Sequence, residues 1–229
     1  MGEKVQYEWI LFDADETLFH FDGYQGLRLM FSRYGVDFDE QAFAQYQQIN
    51  KPLWVEYQNG TITADELKQT RFQSWAQKLD TTTQALNTAF LQAMADISTP
   101  LPGARELLNA LQGRAKLGII TNGFTELQAV RLSRNEMSDT FEHVVVSEEV
   151  GVAKPDAKIF AYTSALMAHP DPKKVLMVGD TLQSDILGGA RAGFDTCWLN
   201  RHDAPSDPDI QPTFTVSSLE QLQALLFAA

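Results

Sequence analysis

Asp13, Asp15 and Glu16 put three acids within four positions, directly behind the apolar run Trp9-Ile10-Leu11-Phe12. Carboxylates gathered where a strand leaves the core repel one another and lose part of their hydration, so the cluster costs free energy. An isolated Asp-x-Asp could sit in a surface turn at little cost. Three later segments weigh against that reading: Thr121-Asn122-Gly123, Gly151-Val152-Ala153-Lys154-Pro155-Asp156, and Gly179-Asp180-Thr181, with Asp185 five residues after Asp180. Each follows an apolar run of its own. In a parallel sheet the strand C-termini converge on one edge, so these groups are expected to share a crevice.

Several carboxylates, one hydroxyl and one lysine at a single point call for a cation. All-oxygen ligation suits Mg²⁺, with Mn²⁺ as a substitute, better than zinc. His20, His143, His169 and His202 are scattered and are expected at surface or loop positions. A phosphate monoester is a dianion that repels an anionic nucleophile until its charge is neutralised. Mg²⁺ bridging Asp13, Asp180 and a phosphate oxygen would do so, with Lys154 adding positive charge. Asp13 could then attack phosphorus and form an aspartyl-phosphate. Asp15 could protonate the leaving alkoxide and later deprotonate the hydrolytic water. The Thr121 hydroxyl and the amides of Asn122 and Gly123, at a helix start, could bind the transferring oxygens. Pro155 suits the first turn of a following helix, which would fix Lys154 just before it.

The elements needed to position these groups are legible as short apolar runs rich in β-branched residues. Strands are expected at 7–13, 115–121, 143–147, 174–179 and 196–199, with a weaker edge strand at 213–216. Helical patterns alternate with them at 104–111, 125–132, 157–167, 184–192 and 219–227. That alternation predicts an α/β fold, a Rossmann-like parallel sheet core flanked by helices. About a hundred residues after the first strand show helical spacing and no convincing strand. They predict an inserted helical cap over 20–97, hinged on both sides, with the core formed by 1–19 and 98–229.

Composition narrows the partners. Thirty acids against eighteen bases give a net charge of −12, which argues against nucleic acid polymers but leaves room for a small phosphorylated metabolite. The single Cys197 excludes an internal disulfide framework, and its apolar neighbours predict a buried thiol. No apolar stretch approaches the roughly 18 residues a bilayer span requires, so no membrane association is expected. The apolar segment near the N-terminus is too short for a signal peptide, and the expected location is cytoplasmic. Monomer and homodimer stay open.

The four segments resemble the four motifs of the haloacid dehalogenase superfamily: DADET, the Thr121 of IITNG, the Lys154 of GVAKPD, and GDTLQSD. The similarity runs nearly end to end, and the helical insert falls where that superfamily places its C1 cap. Through NKPLW (50–54), YQNG (57–60), SEEVGVAKPD (147–156) and GDTLQSDILGG (179–189), it narrows to the bacterial pyrimidine 5′-nucleotidases of that superfamily. The resemblance implies that Asp13 is nucleophile and metal ligand. It implies that Asp15 is the acid/base and binds metal through its backbone carbonyl, that Asp180 is the third protein ligand, and that Asp185 orients metal-bound water. The implied substrates are pyrimidine nucleoside monophosphates, such as UMP, dUMP, dTMP and noncanonical analogues. Glu16 stands where many superfamily phosphatases carry Gly, and the nucleotidase group carries Glu there.

Several rivals share the core. Another small ester, such as a sugar phosphate, would use the same motifs. A true dehalogenase lacks the acid at position 15, because halide leaves without a proton. A phosphonatase needs a cap lysine, for which Lys51 is the candidate, and a phosphomutase is not separable by core motifs. A phosphoaccepting signalling domain carries its acceptor on a later strand and has no large insert. Substrate choice is expected in the cap, with Phe21, Asn50, Lys51, Trp54 and Tyr57 as candidates. An aromatic could stack on a base and Asn50 could bond its edge, whereas Trp54 and Tyr57 at helical spacing also suit packing.

Overall fold

The apolar runs assemble, in a computed structural model that describes residues 5–228, into one six-stranded parallel sheet. Residues 1–4 and 229, at the outer ends of the expected core segments, lie outside the described residues. The strands are β1 (Trp9–Phe12), β2 (Lys116–Thr121), β3 (His143–Val146), β4 (Val175–Gly179), β5 (Asp195–Leu199) and β6 (Phe214–Val216). Their order is β3-β2-β1-β4-β5-β6. The winding direction reverses between β1 and β4, which makes a crevice outside their carboxyl ends. Register is set by burial on both faces: Ile10 sits opposite Leu117 on one side and Leu176 on the other. β1 and β4 are buried at every position.

Helices α1 (Gly23–Ser32), α2 (Glu40–Gln58), α3 (Ala64–Thr70), α4 (Gln73–Lys78) and α5 (Thr83–Ile97) follow the first strand. Then α6 (Ala104–Leu111), α7 (Thr125–Arg134), α8 (Ser147–Val150), α9 (Ala157–Leu166), α10 (Leu187–Arg191) and α11 (Leu219–Phe227) alternate with the later strands. Two compact units result. One comprises the chain through His20, Thr99–Gly123 and the chain from Glu136 onward; the other comprises Phe21–Ser98 and Phe124–Asn135. None of the helices among the described residues is long and apolar enough to cross a membrane.

In the sheet unit, Trp9, Leu11, Ile120, Val145, Val175 and Met177 pack with Ile159 and Phe160 of α9 and with Phe194. Cys197 is fully buried, and burial pushes its thiol up to about 12, so it behaves as a small apolar side chain. In the helical unit, side-chain oxygens close the helix starts: Asp22 accepts from the Gln25 amide, Asp39 from Ala42 and Thr82 from Ala85. Thr63 and Glu66 form a reciprocal capping box. Phe31 stacks on Phe38 at 4.6 Å, and the Gly26 Cα has no room for a methyl group beneath Met94. Asp96 is bridged by both Arg33 and Arg134, which ties α1, α5 and α7 together.

Three elements differ from the expected pattern. β1 is shorter than 7–13, although Glu8 and Asp13 still donate backbone bonds to Lys174 and Val178 at 2.8 Å each. The short α8 was not foreseen, because four residues carry no periodicity. The helix expected over 184–192 begins instead as a π-helical turn, Leu182–Ile186, that runs into α10. Ile10 is fully buried in the central strand. Ile10→Ala is expected to lower unfolding free energy by about 2–5 kcal/mol in urea titration, with the denaturant slope unchanged.

Candidate active site

Lys154 arrives at the sheet edge through a left-handed turn at Gly151 (φ 79°), which ends α8 and lets the chain reverse. Its side chain is only 1% exposed, and its Nζ lies 2.7 Å from Asp13 Oδ1, 2.7 Å from Asp185 Oδ1 and 2.6 Å from the Ile120 carbonyl. Burial works against the ammonium, but Asp13 and Asp185 outweigh it and hold the group above its ordinary pKa. The same lysine joins Asp13 directly after β1, Ile120 near the end of β2 and Asp185 in the turn that follows β4. Pro155 does not begin the next helix as expected. It precedes Asp156, whose carboxylate accepts from the Lys158 amide and caps α9, and the Lys154–Pro155 peptide is cis.

Asp13 lies one residue beyond β1. Burial raises its pKa far above the usual carboxylate range; Lys154 opposes that, while Asp185, Asp180 and Asp15 add to it. Asp180, one residue beyond β4, is pushed up to about 7 by burial and by Asp185, again against Lys154. Carboxylate oxygens of Asp13, Asp180 and Asp185 all lie within 4.8 Å of one another. Such acids resist ionising together unless positive charge joins them. Lys154 supplies one charge to a group of four acids counting Asp15. An all-oxygen, carboxylate-rich donor set of this kind fits Mg²⁺.

Asp185 is held from three sides. Its Oδ2 accepts from the Thr181 amide at 3.0 Å, its Oδ1 from the Ser184 hydroxyl at 3.1 Å, and Lys154 completes the set. The π-helical turn makes this possible by letting the Thr181 carbonyl take both the Asp185 and Ile186 amides, at 3.0 and 3.4 Å. Gly179 makes the room: a Cβ there would stand 2.2 Å from Asp185 Oδ2.

Thr121 ends β2 nearly fully buried, and its Oγ1 accepts from the Gly123 amide at 3.1 Å. Asn122 does more than sequence reasoning assigned to it. Its Oδ1 accepts from the Lys154 amide at 2.7 Å and its Nδ2 donates to the Lys154 carbonyl at 3.0 Å. That clamp fixes the lysine backbone to the loop after β2. Trp198 was also missed; its indole donates to the Asp180 carbonyl at 2.8 Å. A tryptophan in an apolar strand gives no sequence signal of such a role. Asp15 and Glu16 lie half-buried in the turn after Asp13, with Glu16 at φ 58°, a left-handed conformation that costs a non-glycine residue about 1–2 kcal/mol.

The cap candidates all lie in the helical unit. Phe21 and Lys51 are exposed. Asn50 accepts from the Tyr46 hydroxyl and donates to Gln47, both at 3.3 Å. Trp54 packs its ring 5.8 Å from Tyr57 and 5.4 Å from Phe124, and Tyr57 is buried.

A family profile for haloacid dehalogenase-like hydrolases matches residues 7–193. The chain belongs to that family. It is 56% identical to the pyrimidine 5′-nucleotidase YjjG of Escherichia coli over 97% of this chain and 99% of the relative. It is 35% identical to the pyrimidine 5′-nucleotidase PynA of Streptococcus pneumoniae over 94% of this chain and 93% of the relative. Among solved structures, the putative HAD-hydrolase YfnB of Bacillus subtilis superposes with a TM-score of 0.82 at 32% identity. That match covers 96% of this chain and 98% of YfnB, whose structure is bound to magnesium and reveals interdomain movement.

Gly179→Ala is expected to displace Asp185 and with it Lys154. Hydrolysis should fall about 10²-fold while the circular dichroism spectrum stays that of the wild type.

Proposed function

We propose that this hydrolase is a Mg²⁺-dependent 5′-nucleotidase that dephosphorylates pyrimidine nucleoside monophosphates through an aspartyl-phosphate. The observation that carries the phosphatase reading is the Lys154 ammonium between Asp13 and Asp185, beside a third carboxylate, at the reversal point of the sheet. Support for pyrimidine nucleotides is the 56% identity to a pyrimidine 5′-nucleotidase along nearly the whole chain.

In this reading Asp13, Asp180 and the Asp15 carbonyl would hold Mg²⁺, with Asp185 beside them. When bound, the ion supplies positive charge that offsets the phosphate dianion. An Asp13 oxygen bonds to phosphorus as the ester P–O bond breaks, and Asp15 gives its proton to the departing oxygen. Water then attacks phosphorus and gives a proton back to Asp15 as the bond between phosphorus and the Asp13 oxygen breaks, which releases inorganic phosphate and regenerates the Asp13 carboxylate. Thr121 and the Asn122-Gly123 amides bind the transferring oxygens, and Lys154 keeps Asp13 aligned and adds charge. Base and sugar recognition falls to the helical unit, where Phe21, Lys51, Asn50 and Trp54 have accessible surface and Tyr57 serves packing.

Phosphate release should rank highest for pyrimidine monophosphates in a screen that includes purine nucleotides and sugar phosphates. EDTA should abolish turnover and added Mg²⁺ restore it. A clear preference for sugar phosphates would sink the nucleotidase assignment and leave the phosphatase standing. Asp13→Asn, checked for deamidation by mass spectrometry, should lose at least about 10³-fold in kcat.

A further inference from the structure

Glu16 follows directly on Asp13 and Asp15, which have chemical tasks, and its backbone is in a conformation that favours glycine (φ 58°). Both peptide groups flanking it are pinned. Its amide donates to the Phe19 carbonyl at 2.7 Å, and its carbonyl accepts from Arg201 Nη1 at 3.4 Å. The same Nη1 lies 3.0 Å from Glu16 Oε2, while His20 Nδ1 lies 3.0 Å from Oε1. One guanidinium thus grips the carboxylate and the carbonyl of one residue, which fixes its side chain and its peptide plane together.

Arg201 comes from the loop after β5, far from Glu16 in sequence. That loop is itself stiffened. The Asn200 amide donates to Val216 at 2.8 Å, and its side chain both accepts from the Ala204 amide at 2.8 Å and donates to the Ala204 carbonyl at 3.0 Å. The turn on the other side is closed by the Leu18 and Phe19 amides, which donate to the Ala14 carbonyl at 3.0 and 2.9 Å. Asp15 lies inside this turn, next to the pinned residue.

We propose that Arg201 is a positioning residue for Asp15: by holding Glu16 in its left-handed conformation, it aims the Asp15 carboxylate at the leaving-group oxygen. This rests on the acid/base reading of Asp15 given above. A left-handed non-glycine residue left without its pins relaxes towards negative φ, and rotation there swings the preceding side chain. Errors of about an ångström in a proton donor are enough to lower the rate severely.

The test measures leaving-group release in the first turnover, with UMP as an ester whose alkoxide needs a proton and p-nitrophenyl phosphate as one whose phenolate does not. Arg201→Ala is expected to slow the UMP step at least ten-fold and the nitrophenyl step less than three-fold. Asp15→Asn should show the same split, larger. In a Glu16→Gly background, where glycine takes φ 58° without a pin, adding Arg201→Ala should change neither step by more than two-fold. Should Arg201→Ala fail to fold, Glu16→Gln, which removes the ion pair from the other side, should reproduce its split. Equal losses on both esters, no loss on either, or an undiminished Arg201→Ala effect in the Glu16→Gly background would overturn the proposal. Absence of the split in Asp15→Asn would instead overturn the acid/base reading.

Discussion

An ammonium group taken almost wholly out of water must recover several kcal/mol of lost hydration from its neighbours. Lys154 does so through two carboxylates and a backbone carbonyl, each at 2.6 to 2.7 Å. The benefit is mutual. Asp13 and Asp185 would be expensive to bury as anions without it, and Asp180 and Asp15 deepen the negative field around them. Much of the local architecture follows from satisfying this cluster. A glycine precedes Asp180, a widened helical turn aims Asp185, and an asparagine side chain grips the lysine on both sides of its α-carbon.

The clamp by Asn122 and the indole bond from Trp198 show how the sheet distributes this task. Neighbouring strands supply the partners of each other's loops: Asn122, directly after β2, holds the lysine, and β5 carries the ring that holds the Asp180 carbonyl. Lys154 and Asp180 are therefore held by side chains from a neighbouring strand or its loop, not only by their own loops. A parallel sheet suits this, because all of its strands end on the same side.

Most of the sheet was legible because buried parallel strands write themselves as continuous apolar runs, as in Val175–Val178 and Ile119–Ile120. Thr121 and Asp180 were legible because polar groups at or directly behind the end of such runs are costly without a reason, and Lys154 and Asp185, farther along the loops after β3 and β4, because their segments resemble known motifs. Pro155 misled, since proline is favoured at a helix start, yet here Asp156 holds the cap. Asn122, Trp198 and Arg201 were not legible as partners of Lys154, Asp180 and Glu16. Their roles depend on contacts across 32, 18 and 185 positions of sequence, which no local pattern encodes. Nor does spacing reveal a left-handed glutamate; only the backbone does.

The widened turn at Leu182–Ile186 carries one residue more than a regular α-helical turn would need. Each residue advances a helix by about 100°. Loss of a single residue from that stretch would rewind it into an ordinary helix without breaking it, and α10 and β5 could follow unharmed. The acid would then face about a quarter-turn away from the lysine. A reading-frame-preserving deletion here would take Asp185 out of reach of Lys154, so the length of this segment matters as much as the residues in it.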